Sequence, residues 1–286
     1  MLYGLGSAIG FGLADLFGAI STRRTGVLVT LLVIQSVDLV VLSALLLTPI
    51  PGSLEASGEA WAAILVSGVL GTFSFFCFYR ALQLGPIAIV SPVFASYAAI
   101  TVILSVLLIG ERLSALATAG LVSTLAGVTL ASGGRGEGEA GQRRPLGGIP
   151  WAAAAAIAWG VSSYLIGRYA QETGWFLPVY GSRFVEFAVV GATALVLRTS
   201  GRKVAVPRGA DAAIPIGSGL ADMMAVALFA RGSEVGLVSV MSTVSATFPL
   251  VVIAGGVAMF HERPTLVQWV GIFTTVAGLA MLGLGR

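Results

Sequence analysis

LLIGERLSALATAG, residues 107–120, and AMFHERPTLVQWVG, residues 258–271, interrupt apolar sequence in the same way. In each, a hydrophobic run stops at Glu-Arg and then resumes. Glu111 and Glu262, Arg112 and Arg263, and Gly120 and Gly271 each lie 151 positions apart. A charged pair at a fixed offset marks equivalent helix ends in a duplicated unit.

The surrounding composition says what kind of helix is ending. The chain is 57% hydrophobic and 10% charged, with a mean hydropathy of +0.96. A soluble domain carries about 25% charged residues, enough to coat a water-facing surface. This chain has too few and reads as an integral membrane protein. The arginines sit singly or in small groups, so the net charge of +3 does not point to nucleic acid. Cys77, the single cysteine, lies in an apolar run, so no intrachain disulfide exists and a small buried side chain is the expectation. Residues 1–20 lack a basic leader and read as a first span rather than a signal peptide.

A spanning helix needs roughly 20 mostly apolar residues. Ten segments qualify: 2–20, 28–47, 61–83, 87–109, 115–132, 150–168, 177–197, 212–230, 237–260 and 265–284. A Gly-rich charged stretch separates the fifth from the sixth and reads as a solvated linker. The expected organisation is a five-helix repeat over 1–132, a linker over 133–149 and a second repeat over 150–286. The offset of 151 also aligns Arg80 with Arg231, Gly85 with Gly236 and Ser91 with Ser242. Near the start of each half an offset of 148 aligns Phe11-Gly12 with Trp159-Gly160, Thr25-Gly26 with Thr173-Gly174, and Asp38 with Glu186. Five is odd, so the copies enter the membrane from opposite faces. Such inverted repeats build the central site of many secondary transporters. The expected fold is therefore all-α, ten transmembrane helices in two inverted repeats around a central cavity.

The pattern resembles the EamA-type ten-helix members of the drug/metabolite transporter superfamily. The residues carrying the resemblance are Trp159-Gly160, Arg183-Phe184, Gly110-Glu111-Arg112 with His261-Glu262-Arg263, Gly120 with Gly271, and Gly127-Val128 with Gly278-Leu279. The first half departs from it, with Phe11-Gly12 and Gln35-Ser36 at the first two places. The resemblance covers almost the whole chain and implies small-molecule transport, leaving the substrate open.

Small residues let helix backbones approach closely in lipid. Gly6, Gly10, Ala14 and Gly18 form one smooth face, as do Ser67 with Gly71 and Gly120 with Thr124. Pro92 and Pro249 fall inside the fourth and ninth spans. Each removes a helix hydrogen bond, and freed carbonyls at membrane depth need protein or a water-filled cavity beside them. Both spans are expected to kink, either as cavity-lining hinges or as purely structural bends.

Few charges lie within the spans. Asp38, Glu186 and Asp222 are mid-span, whereas Asp15 and Arg183 fall nearer helix ends in this reading. An acid at a helix centre costs about 2.5–3.5 kcal/mol on insertion scales, so it faces a cavity or a partner. In one reading these acids bind protons or an amine as the cavity alternates. In the other, Arg183 and Glu186 neutralise each other at a three-residue spacing, and Asp222 pairs with Arg183 across helices. The pair is preferred for Glu186, function for Asp38, which has no cation within a turn. Asp15, near Arg23-Arg24, reads as interfacial. Tyr79, Tyr97, Trp159, Tyr164 and Tyr180 are candidate walls of a site; Tyr97 with neighbouring Ser96, and Trp159, are preferred as substrate-binding residues. Glu111 and Glu262 read as structural, closing the same hairpin in each half or capping the next helix.

Eleven of the 16 basic residues fall in loops after odd-numbered spans and four after even-numbered spans or at the C-terminus. The positive-inside bias then puts both termini outside, whereas the resemblance implies termini inside. The functional expectation is a secondary transporter of a small organic metabolite, an amino acid or amine, working by alternating access with proton coupling. An intramembrane enzyme with an acidic dyad, a channel and a scaffold are the rivals. The one histidine, His261, offers no H-E-x-x-H metal motif. No metal or other cofactor is expected, and the expected partners are a small-molecule substrate and the lipid bilayer. One lysine against fifteen arginines points to a GC-rich bacterial genome and hence an inner membrane.

Overall fold

Gly26 and Gly174, aligned by the 148-residue offset, adopt the same backbone conformation, with φ of 84° and 85° and ψ of 162° at both. Side chains rarely tolerate positive φ, so glycine is the residue that allows this turn. A computed structural model of the chain describes residues 1–48, 55–85, 87–132, 146–200, 209–260 and 265–285. Among these it is built of helices and contains no strand. In chain order they are α1 (Leu2–Thr25), α2 (Val27–Leu45), α3 (Gly58–Leu84), α4 (Ile87–Ala95), α5 (Tyr97–Leu104), α6 (Ala115–Ser132), α7 (Ile149–Thr173), α8 (Phe176–Thr199), α9 (Ala210–Glu234), α10 (Val238–Ser245), α11 (Pro249–Phe260) and α12 (Leu266–Leu284). These twelve helices make ten transmembrane segments, because α4–α5 and α10–α11 are each one broken span. Eight of the segments are long and apolar enough to cross a bilayer, and Ala115–Ala131 and Leu266–Leu282 are shorter apolar helices. Most of the linker (133–145), together with His261, Glu262 and Arg263, lies outside the described residues.

The halves interlock rather than sit side by side. The first helix of each half packs on the third helix of the other, α1 on α9 and α7 on α3. The smooth face of α1 is used as its residues predict. A side chain at Gly10 would strike the Ala221 carbonyl and Ala225 of α9 at 2.8 Å, and one at Gly18 would strike Tyr79 of α3 at 2.4 Å. The last helices, α6 and α12, meet on a pseudo-twofold axis. A β-carbon on Gly120 would fall 2.7 Å from the Gly278 carbonyl, and one on Gly271, the repeat counterpart of Gly120, would fall 2.7 Å from the carbonyl of Gly127, the counterpart of Gly278. Reciprocal contact of this kind is what a rotation relating the halves produces. It is sequence written twice, read as packing.

The two broken spans show the same symmetry. The α4–α5 break is at Ser96 and the α10–α11 break runs through Ala246–Phe248, with i→i−3 hydrogen bonds such as Ser96 N to Val93 O and Thr247 N to Val244 O. Ser96 and Thr247 are 151 residues apart, but the prolines are not equivalent, since Pro92 precedes its break and Pro249 follows it. What both breaks share is a glycine from the opposite half. A β-carbon on Gly160 would lie 2.9 Å from the Tyr97 carbonyl and 2.7 Å from Ile100 Cβ; one on Gly12 would lie 3.0 Å from the Phe248 carbonyl and 2.5 Å from Val251 Cβ. The Trp-Gly and Phe-Gly pairs thus carry the glycines that let α7 and α1 lie against the interrupted backbones.

Two expectations are corrected. The first span extends to Thr25, so Asp15 is near the middle of α1 and not at an interface; the helix runs on through Ser21-Thr22 because those hydroxyls find partners inside the protein, Thr30 and the Ala19 carbonyl. Glu111, moreover, neither closes its own hairpin nor caps the next helix. The helix ends in a wide π turn at Ser105–Ile109, and Gly110, at φ 73°, redirects the chain. The Glu111 carboxylate then accepts from the Val238 and Ser239 backbone N–H groups at 2.7 and 3.1 Å, capping α10 of the other half. Its own next helix is already capped by Ser114, whose hydroxyl accepts from Ala117 N.

Candidate functional site

Where α2, α3, α8 and α9 converge, one guanidinium serves three carboxylates. Arg183 of α8 reaches Glu186 Oε2 at 2.5 Å through Nη1, Asp222 Oδ2 of α9 at 2.6 Å through Nη2, and Asp38 Oδ2 of α2 at 3.3 Å through Nε. All four residues are buried, Arg183 with 1% of its surface exposed. The three-residue spacing predicts the pair within α8, and the link to Asp222 across helices belongs to the charge-pairing reading. Neither predicts that Asp38 shares the same cation, because 145 residues separate them in the chain.

The neighbours of the cluster fix its geometry. Gln35, one turn before Asp38, donates from Nε2 to Glu186 Oε2 at 2.8 Å. The guanidinium carbon lies 5.1 Å from the centroid of the Phe75 ring of α3, a range in which the ring face attracts a cation. A β-carbon on Gly71 would sit 2.2 Å from Glu186 Oε1, so α3 leaves room where its repeat counterpart on α9, Asp222, supplies an acid. Gln35 likewise stands where the second half has Arg183. Each departure from symmetry has placed or removed a charge. The result is asymmetric, with three acids on one base.

Formally the cluster is short of two positive charges. Asp38 Oδ1 and Oδ2, Glu186 Oε1 and Gln35 Oε1 have no hydrogen-bond donor, and Asp38 and Asp222 are within hydrogen-bonding reach of each other. Ionised carboxylates only accept hydrogen bonds, so two of them facing each other require a proton or another donor between them. Uncompensated charge in so dry a place costs several kcal/mol per ion. The chemistry available is uptake and release of protons or of a cation, with Nη1 and Nη2 of Arg183 already engaged by Glu186 and Asp222.

The remaining predicted residues are distributed unevenly. Trp159 and Tyr97 meet in a buried aromatic group, their ring centroids 6.5 Å apart, and Trp159 lies 5.2 Å from Phe75, which joins this group to Arg183. Ser96 is exposed at the break and its hydroxyl turns back on the Val93 carbonyl at 2.6 Å, away from these rings. Pro92 lies within α4 and Pro249 opens α11. Tyr180 stacks on Phe176 and reaches Ser43. Cys77 is buried in α3. Among the described residues no group of acids, His and Cys is arranged to hold a metal ion. Sequence reasoning passed over Gln35, whose signal was its alignment with Arg183, and Asp15, which is hidden in α1.

Against known proteins, the sequence matches the EamA-like transporter family over residues 1–133 and 146–284. A solved crystal structure, 22% identical, aligns over 99% of this chain and 96% of its own with a TM-score of 0.76; at that identity the likeness shows the fold alone. No curated protein sequence matches.

Proposed function

The chain belongs to the EamA-like transporter family, and from that premise, a multi-pass membrane transporter of the drug/metabolite type, we propose that it moves a small organic solute bearing an amino group, coupled to protons. Transport proceeds by alternating access, and the composition favours a bacterial inner membrane. Asp38, Glu186 and Asp222 exchange protons as the cavity opens to one side and then the other, and Arg183 holds them together between exchanges. Trp159 and Tyr97 wall the path of the solute.

One observation carries this reading: three buried carboxylates share a single guanidinium at the meeting of the two halves. Such a cluster is neutral only when it holds two further positive charges, and a transporter that loads and unloads them does work with that deficit. The broken spans α4–α5 and α10–α11 support rocking of the halves about their equivalent turns.

The test is flux into proteoliposomes carrying an internal pH dye, with a panel of amino acids and amines added outside. The expected result is saturable uptake, counterflow exchange and proton movement that depends on solute. In Asp38→Asn the proton movement falls while the protein still folds. Saturable uptake without proton movement overturns the coupling, and unsaturable flux favours a channel.

A further inference from the structure

Asp15 is the buried acid that the cluster does not use. It lies near the middle of α1 with 6% of its surface exposed. Ser91 of α4 donates to its Oδ2 at 3.1 Å, and among the described residues no Lys or Arg pairs with it. Its electrostatic neighbours are Asp222, Tyr79 and Tyr97, none of them cationic. A charge at that depth without a partner is expensive, so the carboxylate either carries a proton or meets a cation that the protein itself does not supply.

A second, independent observation points to what that cation is. The Tyr97 hydroxyl, on a side chain 1% exposed, has no hydrogen-bond partner. Aromatic rings close around the same place. Phe11 is one turn from Asp15 on α1, and Phe94 is one turn from Ser91 on α4. Phe94 lies 5.6 Å from Tyr97 and 6.0 Å from Phe248, and Phe248 lies 6.4 Å from Phe11. One carboxylate, two hydroxyls and several π faces suit an ammonium group attached to an apolar body. They offer too few oxygens for calcium or magnesium, which take six or more.

We propose that Asp15 binds the ammonium group of the transported solute, in an aromatic-walled site on α1, α4, α5 and α10–α11 that adjoins the Arg183 cluster without sharing its residues. The assignment rests on the amine-transport reading above. It divides the labour: the cluster handles protons, and Asp15 the organic cation.

Calorimetric titration of the purified full-length protein with phenethylammonium chloride tests it, with phenethyl alcohol as the uncharged analogue. Wild type binds the cation saturably and the alcohol at least tenfold more weakly. Asp15→Asn, which keeps the shape and removes the charge, binds the cation roughly 10–100-fold more weakly, as loss of a charge-assisted hydrogen bond implies. Asp15→Glu retains binding within about tenfold, and Glu172→Gln, at a half-exposed acid paired with Arg168, leaves it unchanged. If Asp15→Asn does not fold, judged by its melt, Tyr97→Phe carries the test, with binding a few-fold weaker. No binding by wild type, equal binding of the alcohol, or binding unchanged by Asp15→Asn overturns the assignment. Because this is a binding measurement, it fails separately from the flux test. Ammonium binding at Asp15 without solute-dependent proton movement sinks the coupling alone, whereas proton-coupled flux of other solutes without ammonium binding sinks this site alone.

Discussion

Replacing Gly160 with alanine adds a single carbon where the interrupted α4–α5 backbone comes closest. That carbon would lie 2.7 Å from Ile100 Cβ and 2.9 Å from the Tyr97 carbonyl, against the 3.4–4 Å of ordinary contact. Neither neighbour is the far end of a flexible side chain, so α7 itself must retreat by roughly half an ångström or more. Overpacking of this kind costs typically about 1–3 kcal/mol, and for a chain of this size that lowers the melting temperature by about 2–12 °C. Gly12→Ala meets the equivalent obstacle at Val251 and Phe248 and is expected to fall by a similar amount. Gly191→Ala, whose added carbon meets nothing within 4 Å, is the control. Thermal unfolding of the three variants in one detergent, followed by tryptophan fluorescence, checks the ordering. If Gly160→Ala melts at or above Gly191→Ala, close approach is not what the glycine provides. If only one of the two break-facing variants falls, the breaks are not equivalent and the symmetry argument fails with them.

Three shorter predictions follow from the charged groups. Arg183→Gln leaves three buried carboxylates without their cation and is expected to cost about 3–5 kcal/mol; adding Asp38→Asn and Asp222→Asn restores part of the melting temperature, and an unchanged melt in the single variant contradicts the cluster. Glu111→Gln replaces a charged acceptor of two backbone N–H groups with an amide, and since the site is half-buried the loss is near 1.5 kcal/mol. Hydrogen exchange at Val238 and Ser239 then accelerates roughly tenfold, whereas unaltered exchange means the cap is ornamental. A C-terminal reporter active only in the cytoplasm stays silent if the loop charges set orientation, and a bright reporter supports the orientation implied by the family.

What could be read from the chain alone followed from short-range pattern. Span positions came from runs of apolar residues, the inverted repeat from Glu111 and Glu262, and the Arg183–Glu186 pair from a three-residue spacing. What escaped depended on contacts between distant segments. By sequence Asp15 is interfacial, because Arg23 and Arg24 mark a helix end nearby, yet buried hydroxyl pairing carries α1 to Thr25. Asp38 has no cation within a turn because its cation belongs to the other half. Glu111 belongs by sequence to its own hairpin, but its partner is the start of α10. Pro92 and Pro249 signalled irregular spans correctly without marking where the breaks fall. Local periodicity gave the inventory of helices, and interlocking of the halves decided what each charge meets.

That interlocking has a consequence for synthesis. Asp15 and Asp38 emerge from the ribosome early, whereas Arg183 and Asp222 belong to the second half. Some 145 residues separate Asp38 from its cation, which at 5–20 residues per second is roughly 7–30 seconds of translation. For that interval the nascent first half carries two mid-span acids, and the surfaces of α1 and α3 wait uncovered for α9 and α7. The first half therefore completes its packing only after the last helices arrive, and a chain stopped after its fifth span lacks the guanidinium that Asp38 meets in the full protein.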